Sequence, residues 1–235
     1  LFPLFKKNIE IDAVSIKDAY INSMEIIHGM TVKGTLGEFY LASHGIKLDP
    51  ETAVLNDVLL KNSRISLCIT DTTSQDTAKS KPSYWKFKLK KIDVQNVDFE
   101  FSSPLQNTHL KAYLKKSAMR NGYIDLHKQL YSIQTLYVDN GNLRFNDIKK
   151  NVADTAAVKF GGIDPTDIRL ADINIQLDSL FYRGSNIKAN LRKVSFKETN
   201  SRFSLISMRG RIKSDDKVID IPELEINTSD SYLNM

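Results

Sequence analysis

The stretch IDVQNVDFEF, residues 92–101, alternates apolar and polar side chains on both sides of Asn96. Ile92 and Val94 lie four and two residues before the asparagine, and Phe99 and Phe101 three and five after it. Alternation with a period of two marks a strand with one apolar and one solvated face. The same offsets recur along the chain. Around Asn62 they select Val58, Leu60, Ile65 and Leu67, and around Asn140 they select Leu136, Val138, Leu143 and Phe145. Around Gly184 they select Leu180, Tyr182, Ile187 and Ala189. Asp18 centres a weaker copy with Val14, Ile16 and Ile21 but Ser23 in the last place, and Asn121 a partial one with Met119, Ile124 and Leu126. From Asp18 through Asn62, Asn96 and Asn140 to Gly184, the centres step by 44, 34, 44 and 44 residues. Asn, Asp and Gly tolerate the backbone of tight turns, so the unit reads as strand–turn–strand. Asn121-Gly122 and Asn140-Gly141 read as hairpin dipeptides.

Outside these copies, Phe39–Leu41, Ile46–Leu48, Ile173–Leu177, Leu191–Phe196, Phe203–Met208, Ile219–Ile221 and Leu224–Ile226 also read as strand. Two places compete as helix. Asp49-Pro50-Glu51 resembles an N-cap with proline in the first turn, followed by Val54, Leu55, Val58 and Leu59 at helical spacing. Alternation nevertheless assigns 58–69 to strand. Residues 105–119 stay open: the stretch is rich in Lys, Leu and Ala, yet Leu110, Ala112 and Leu114 alternate. Asp71–Ser83 and Asn151–Thr166 lack any pattern and read as long loops. Because the same unit occurs on both sides of each loop, residues 1–235 read as one continuous repetitive β segment.

The composition agrees with a folded chain: 235 residues, 41% hydrophobic, 26% charged, mean hydropathy −0.31. It excludes disorder and collagen-like repeats. No apolar run approaches the ~18 residues of a membrane helix, and Leu1–Phe5 is too short for a secretory leader. The first residue is not Met and the pattern still runs at Met235, so the chain reads as an internal piece of something longer.

The net charge of +5 comes from scattered basic residues interrupted by acids, not the stripe of a nucleic-acid binder. One local concentration, Lys79 to Lys91, alternates Trp85, Phe87 and Leu89 with Lys86, Lys88 and Lys90. It reads either as a face attracted to anionic lipid or RNA, or as a solvated strand face kept from edge pairing by lysines, the plainer reading. Cys68 is alone, so the chain can build neither a disulfide nor a thiolate metal site within itself. His28, His44, His109 and His127 are far apart, and none stands at ligand spacing with a carboxylate or cysteine. Gly161-Gly162 lacks the lysine of a phosphate loop, and there is no G-x-S-x-G elbow. Acids such as Asp93, Asp98 and Glu100 read as solvent-face residues. Two carboxylates can meet across a sheet, so a glycosidase pair stays open, but no aromatic subsite cluster beyond Trp85 accompanies one. The expectation is a protein without catalytic residues, metal or cofactor.

Six stretches carry a resemblance: LFPLFKKNIEIDAVSIKDAYIN (1–22), GTLGEFYLASHGIKLD (34–49), LKKIDVQNVDFEF (89–101), VDNGNLRFND (138–147), GIDPTDIRLADINIQLDSLFYRGSNIKANLRKVSFKE (162–198) and RGRIKSDDKVIDIPELEINTSDSY (209–232). In order and number they resemble the AsmA-like proteins, in particular the TamB-type translocation and assembly proteins of the Bacteroidetes lineage. The resemblance implies an all-β fold: a long curled antiparallel sheet, taco-like in section, with an apolar inner groove and few or short helices. It further implies a protein anchored in the inner membrane by one N-terminal helix, crossing the periplasm and conducting phospholipids for outer-membrane biogenesis. An outer-membrane barrel partner would be met through a C-terminal part beyond this segment. The groove residues it points to are Val58, Leu60, Ile65, Leu67, Ile92, Val94, Phe99, Phe101, Leu136, Val138, Leu143, Phe145, Leu180, Tyr182 and Ile187. Without the resemblance, the same apolar face reads as the core of a two-sheet sandwich, a structural or protein-binding module with no lipid role. Asp71-Thr72, Asp76-Thr77 and Asp154-Thr155 resemble the Asp-Thr acceptors of periplasmic O-glycosylation, which makes Thr72, Thr77 and Thr155 candidate sites.

Overall fold

The computed structural model describes residues 12–25, 29–47, 49–70, 84–147 and 163–235. Among them there is no helix, and eleven strands form one sheet in chain order: β1 (Ala13–Glu25), β2 (Met30–Lys47), β3 (Thr52–Ile69), β4 (Lys86–Ser103), β5 (Thr108–Asp125), β6 (Leu130–Asp147), β7 (Asp167–Arg183), β8 (Asn186–Glu198), β9 (Ser204–Ser214), β10 (Ile219–Thr228) and β11 (Tyr232–Asn234). The sheet is curled and not closed into a barrel. All neighbours pair antiparallel except β3 and β4, which run parallel and enter the sheet from the same end. The two-sheet sandwich is therefore not what the described residues form.

The period of the sequence has a simple origin. β4, β5 and β6 each have 18 residues and are joined by turns at 104–107 and 126–129. Two strands and two turns bring the chain back to the same rung in the same direction, which is the 44-residue step from Asn96 to Asn140. The parallel β3–β4 pair replaces a hairpin and shortens one step to 34, so Asn62 lands beside Asn96, their amides bonded at 3.1 Å.

All but one of the centres of the repeat are not turns. Asp18, Asn62, Asn96, Asn121 and Asn140 all lie inside strands, each with a positive φ between 48° and 56°. Asn121-Gly122 and Asn140-Gly141 are thus corrected from hairpins to single left-handed residues in mid-strand. The type I′ hairpin that an Asn-Gly dipeptide favours needs positive φ at both positions, and in these pairs only the asparagine has it. Of the six centres, only Gly184 (φ 58°) sits in a true hairpin, between β7 and β8.

A left-handed residue inside a strand resets its alternation. Residues three apart normally point to opposite faces, yet a Cβ built on Gly141 would lie 3.3 Å from Val138 Cγ1, on the same side. At Gly122 the corresponding atom would lie 3.0 Å from Met119 Sδ. The offsets of −2 and +3 around each centre therefore select one face of a continuous strand.

These residues also line up across the sheet. Asp18 stands opposite Gly37, Gly37 beside Asn62, Asn62 beside Asn96, and Lys115 between Asn96 and Asn140. Asn140 N–H donates to Asn174 Oδ1 at 3.2 Å, Asn174 Nδ2 donates to the Asp172 carbonyl at 2.8 Å, and Asp172 N–H donates to Asn142 Oδ1 at 3.3 Å. The result is one transverse crease, where bulged strands bend together and their side-chain amides replace missing ladder bonds.

The remaining expectations resolve locally. Residues 105–119, left open between helix and strand, fall at the β4–β5 turn and in β5. The N-cap reading of Asp49–Glu51 fails because the backbone turns there (Glu51 φ 54°) and β3 starts at Thr52. β4 is an interior strand, so its lysines protect no edge; they form the solvated face. The loops at 71–83 and 151–162, with Thr72, Thr77 and Thr155, lie outside the described residues.

Candidate functional site

Directly paired residues in neighbouring strands point to the same face, so the register shows what the repeat assembles. One rung starts at Ile16 and runs through Phe39, Leu60, Val94, Ser117 and Val138. It continues through Ile175, Val194, Met208 and Ile226 to Leu233. Ten of its eleven positions are apolar, and at ~4.8 Å per strand the rung extends about 48 Å. The neighbouring rung carries Val14, Leu41, Val58, Ile92, Met119 and Leu136 in order.

All fifteen expected groove positions fall on this face. Val58 pairs with Ile92, Leu60 with Val94, Ile65 with Phe99 and Leu67 with Phe101. Through β5, Ile92 leads by Met119 to Leu136, Phe99 by Ala112 to Leu143, and Phe101 by Leu110 to Phe145. Leu180 and Tyr182 extend the rungs of Ile133 and Tyr131, and Ile187 pairs with Tyr182. The sequence reading missed the contribution of β5 and the crease residue of β7. Asp172 (φ 53°) has Ile168 and Leu170 before it and Ile175 and Leu177 after it, the same four offsets. That signal was present in the sequence, but the Gly184 hairpin, at the expected step, stood in its place.

The face is open. Strand contacts run between neighbours in the sheet, and only six hydrophobic residues are buried among the described ones: Leu36, Ala53, Val97, Val138, Leu177 and Leu205. Several of these lie along the crease, where the bend brings rungs together. Away from it, Phe99 is 37% exposed and Tyr182 40%. Beside the lip at Lys86, Leu41, Ile46, Ala53, Leu55, Trp85, Phe87 and Leu126 line an apolar hollow of about 280 Å³.

The opposite face is charged and neutralises itself across strands. Lys91 reaches both Asp57 (3.1 Å) and Asp93 (3.2 Å), and Arg120 holds the other oxygen of Asp93 at 2.7 Å. Partial burial pushes the Asp93 carboxyl up, but the bonds from Arg120 and Lys91 outweigh it and hold the group below the usual carboxylate range. Glu100 accepts from His109 at 2.8 Å and from Lys111 at 3.3 Å, and the His109 bond leads in lowering its proton affinity. Arg64–Asp98, Lys61–Glu38 and Arg192–Asp178 are further pairs of this kind. Asp93, Asp98 and Glu100 therefore serve the solvated back of the sheet.

Two buried acids hold hairpins. Asp125, 1% exposed, accepts the Lys128 N–H at 3.0 Å. Glu198, equally buried, accepts the Ser201 N–H and hydroxyl, both at 2.5 Å, and the Arg169 N–H at 3.2 Å. Burial opposes its charge, but these bonds outweigh it and keep the carboxyl below its ordinary range. Among the described residues, no group of three His, Cys, Asp or Glu side chains is placed to hold a metal ion. No helix among them is long and apolar enough to cross a membrane.

No protein-family model matches this chain, and no curated protein matches it either.

Proposed function

We propose that this chain is a segment of a bridge-like lipid transfer protein that conducts phospholipids along its apolar face. In this reading the full protein is anchored in the inner membrane, spans the periplasm and serves outer-membrane biogenesis, with an outer-membrane barrel as its distal partner. The observation that carries the proposal is the uncovered apolar rung crossing all eleven strands. A conduit needs a surface that acyl chains can share at every step, worth ~0.8 kcal/mol per CH₂ removed from water. It also needs a hydrated back, which the cross-strand ion pairs supply. Movement along the hydrogen-bonding direction meets a new strand about every 4.8 Å, and at ten of the eleven strands the rung offers an apolar side chain.

The test places a photoreactive amino acid at Phe145, on the apolar face, and in a second protein at Lys111, on the charged back. After native expression, irradiation should attach phospholipid at position 145 and not at 111. Adducts only to neighbouring protein, at either position, would instead support a protein-binding module and refute lipid conduction.

A further inference from the structure

The apolar face is not uniform in depth. One of its rungs, near the start of β4, runs from Ile46 through Ala53, Phe87, Ile124 and Tyr131 to Tyr182. Ala53 is the one small side chain of the six, and its methyl group leaves empty the space that a branched or aromatic side chain fills at the other positions. The hollow of about 280 Å³ stands there. Ala53 is the most buried of its lining residues, 4% exposed. Phe87 and Trp85, stacked at 5.6 Å with their planes 17° apart, form an aromatic wall. Leu126, in the β5–β6 turn, stands beside Trp85 at the strand ends, its N–H donating to the Trp85 carbonyl at 3.0 Å.

The chemistry of the hollow selects its occupant. No lining side chain is charged, and the one polar side-chain atom among them is the Trp85 indole nitrogen. A polar headgroup placed here would give up its water without gaining partners. A hydrocarbon segment would instead gain contacts on several sides, where an open rung touches it on one. At the inner side Leu41 pairs with Val58, and Leu55 pairs with Leu89, so the hollow opens onto the rungs of the apolar face. A cavity of ~150 Å³ accepts benzene, about 25 Å³ per carbon, so this hollow has room for about eleven carbons.

We infer that the hollow over Ala53 seats the methyl end of an acyl chain and so holds one lipid at a fixed place against β2–β4. This rests on the lipid reading above and adds to it where a chain is held and by which end. Each methylene removed from water strengthens the hold about fourfold, so a seated chain leaves more slowly than one lying on the open rungs.

Trp85 is the single tryptophan of the chain, so its fluorescence reports on the wall of the hollow. The chain is incubated with vesicles of phosphatidylcholine brominated near the methyl end of an acyl chain and, in parallel, near the carbonyl end, because bromine quenches tryptophan on contact. The protein is then re-isolated, its lipid is counted by mass spectrometry, and its emission is compared with that of chain carrying unbrominated lipid. The expected result is quenching, per lipid carried, severalfold stronger from the methyl-end bromine. Ala53→Leu grows into the hollow; it should carry comparable lipid, lose most of that quenching and keep a urea midpoint at or above that of the unaltered chain, as cavity filling does. If Ala53→Leu fails to fold, Leu126→Gln, at a turn position already 37% exposed, should show a partial loss of quenching in its place. Quenching equal from the two ends or stronger from the carbonyl end, carried lipid without quenching, or quenching unchanged in the variants overturns the seat and leaves the lipid reading standing. No carried lipid, including vesicle binding without extraction, overturns both.

Discussion

Two substitutions on one strand separate an open apolar face from a covered core. Val97 and Phe99 both belong to β4 and point to the same side, but Val97 is 5% exposed at the crease and Phe99 37% exposed beyond it. Val97 is flanked by Ser63 and Leu114, and Phe99 by Ile65 and Ala112. Val97→Asp puts an unpaired carboxylate where water does not reach, costing about 4 kcal/mol or more, a large part of a typical domain's stability. Phe99→Asp loses about two thirds of the burial of a phenyl ring, about 2 kcal/mol, and its carboxylate keeps its water. Urea titration followed by circular dichroism should therefore show Val97→Asp largely unfolded without denaturant. Phe99→Asp should lower the midpoint by about 0.7 M at a slope of about 3 kcal/mol per M. Lipid carried by the folded Phe99→Asp protein should fall severalfold. Equal loss of stability in the two variants would mean that something covers the face. A folded Phe99→Asp protein with unchanged lipid content would refute the groove.

The crease predicts a specific pattern at Asn96, where φ is 51°. Asn96→Ala should cost about 1–2 kcal/mol through backbone strain and the lost bond to Asn62, and Asn96→Gly clearly less, as read from urea midpoints. Gly34→Ala places a Cβ 2.2 Å from the Arg64 carbonyl oxygen, so the β2–β3 ladder must shift; a midpoint within error of the unaltered chain would contradict that close approach. Glu198 binds its proton more weakly in the folded chain than in the unfolded one, so its stabilisation is present above the ordinary glutamate range, about 4.3, and is lost as pH falls below it. Glu198→Gln should destabilise the protein by about 1–3 kcal/mol at pH 7 and flatten the acid limb of a stability–pH curve measured from pH 7 to 3.

Strand content, strand direction of the side chains and the repeat were legible because each is a local property. Alternation at 92–101 names an apolar face before any partner is known, and Asn at its centre marks a residue that accepts a left-handed backbone. What a left-handed residue does is not local. The same Asn-Gly dipeptide makes a hairpin if the chain reverses and a bulge if partners already flank both sides, and at Asn121 and Asn140 strands on each side decide for the bulge. The parallel pairing of β3 and β4 and the alignment of Asp18, Asn62, Asn96 and Asn140 into one crease both depend on register. So does the choice between sandwich and open sheet, because both bury the same side chains along a strand and differ only in what lies opposite. Sequence by itself determined which side chains share a face, through the period of the backbone; the pairing of strands decided that the face is continuous, creased and uncovered.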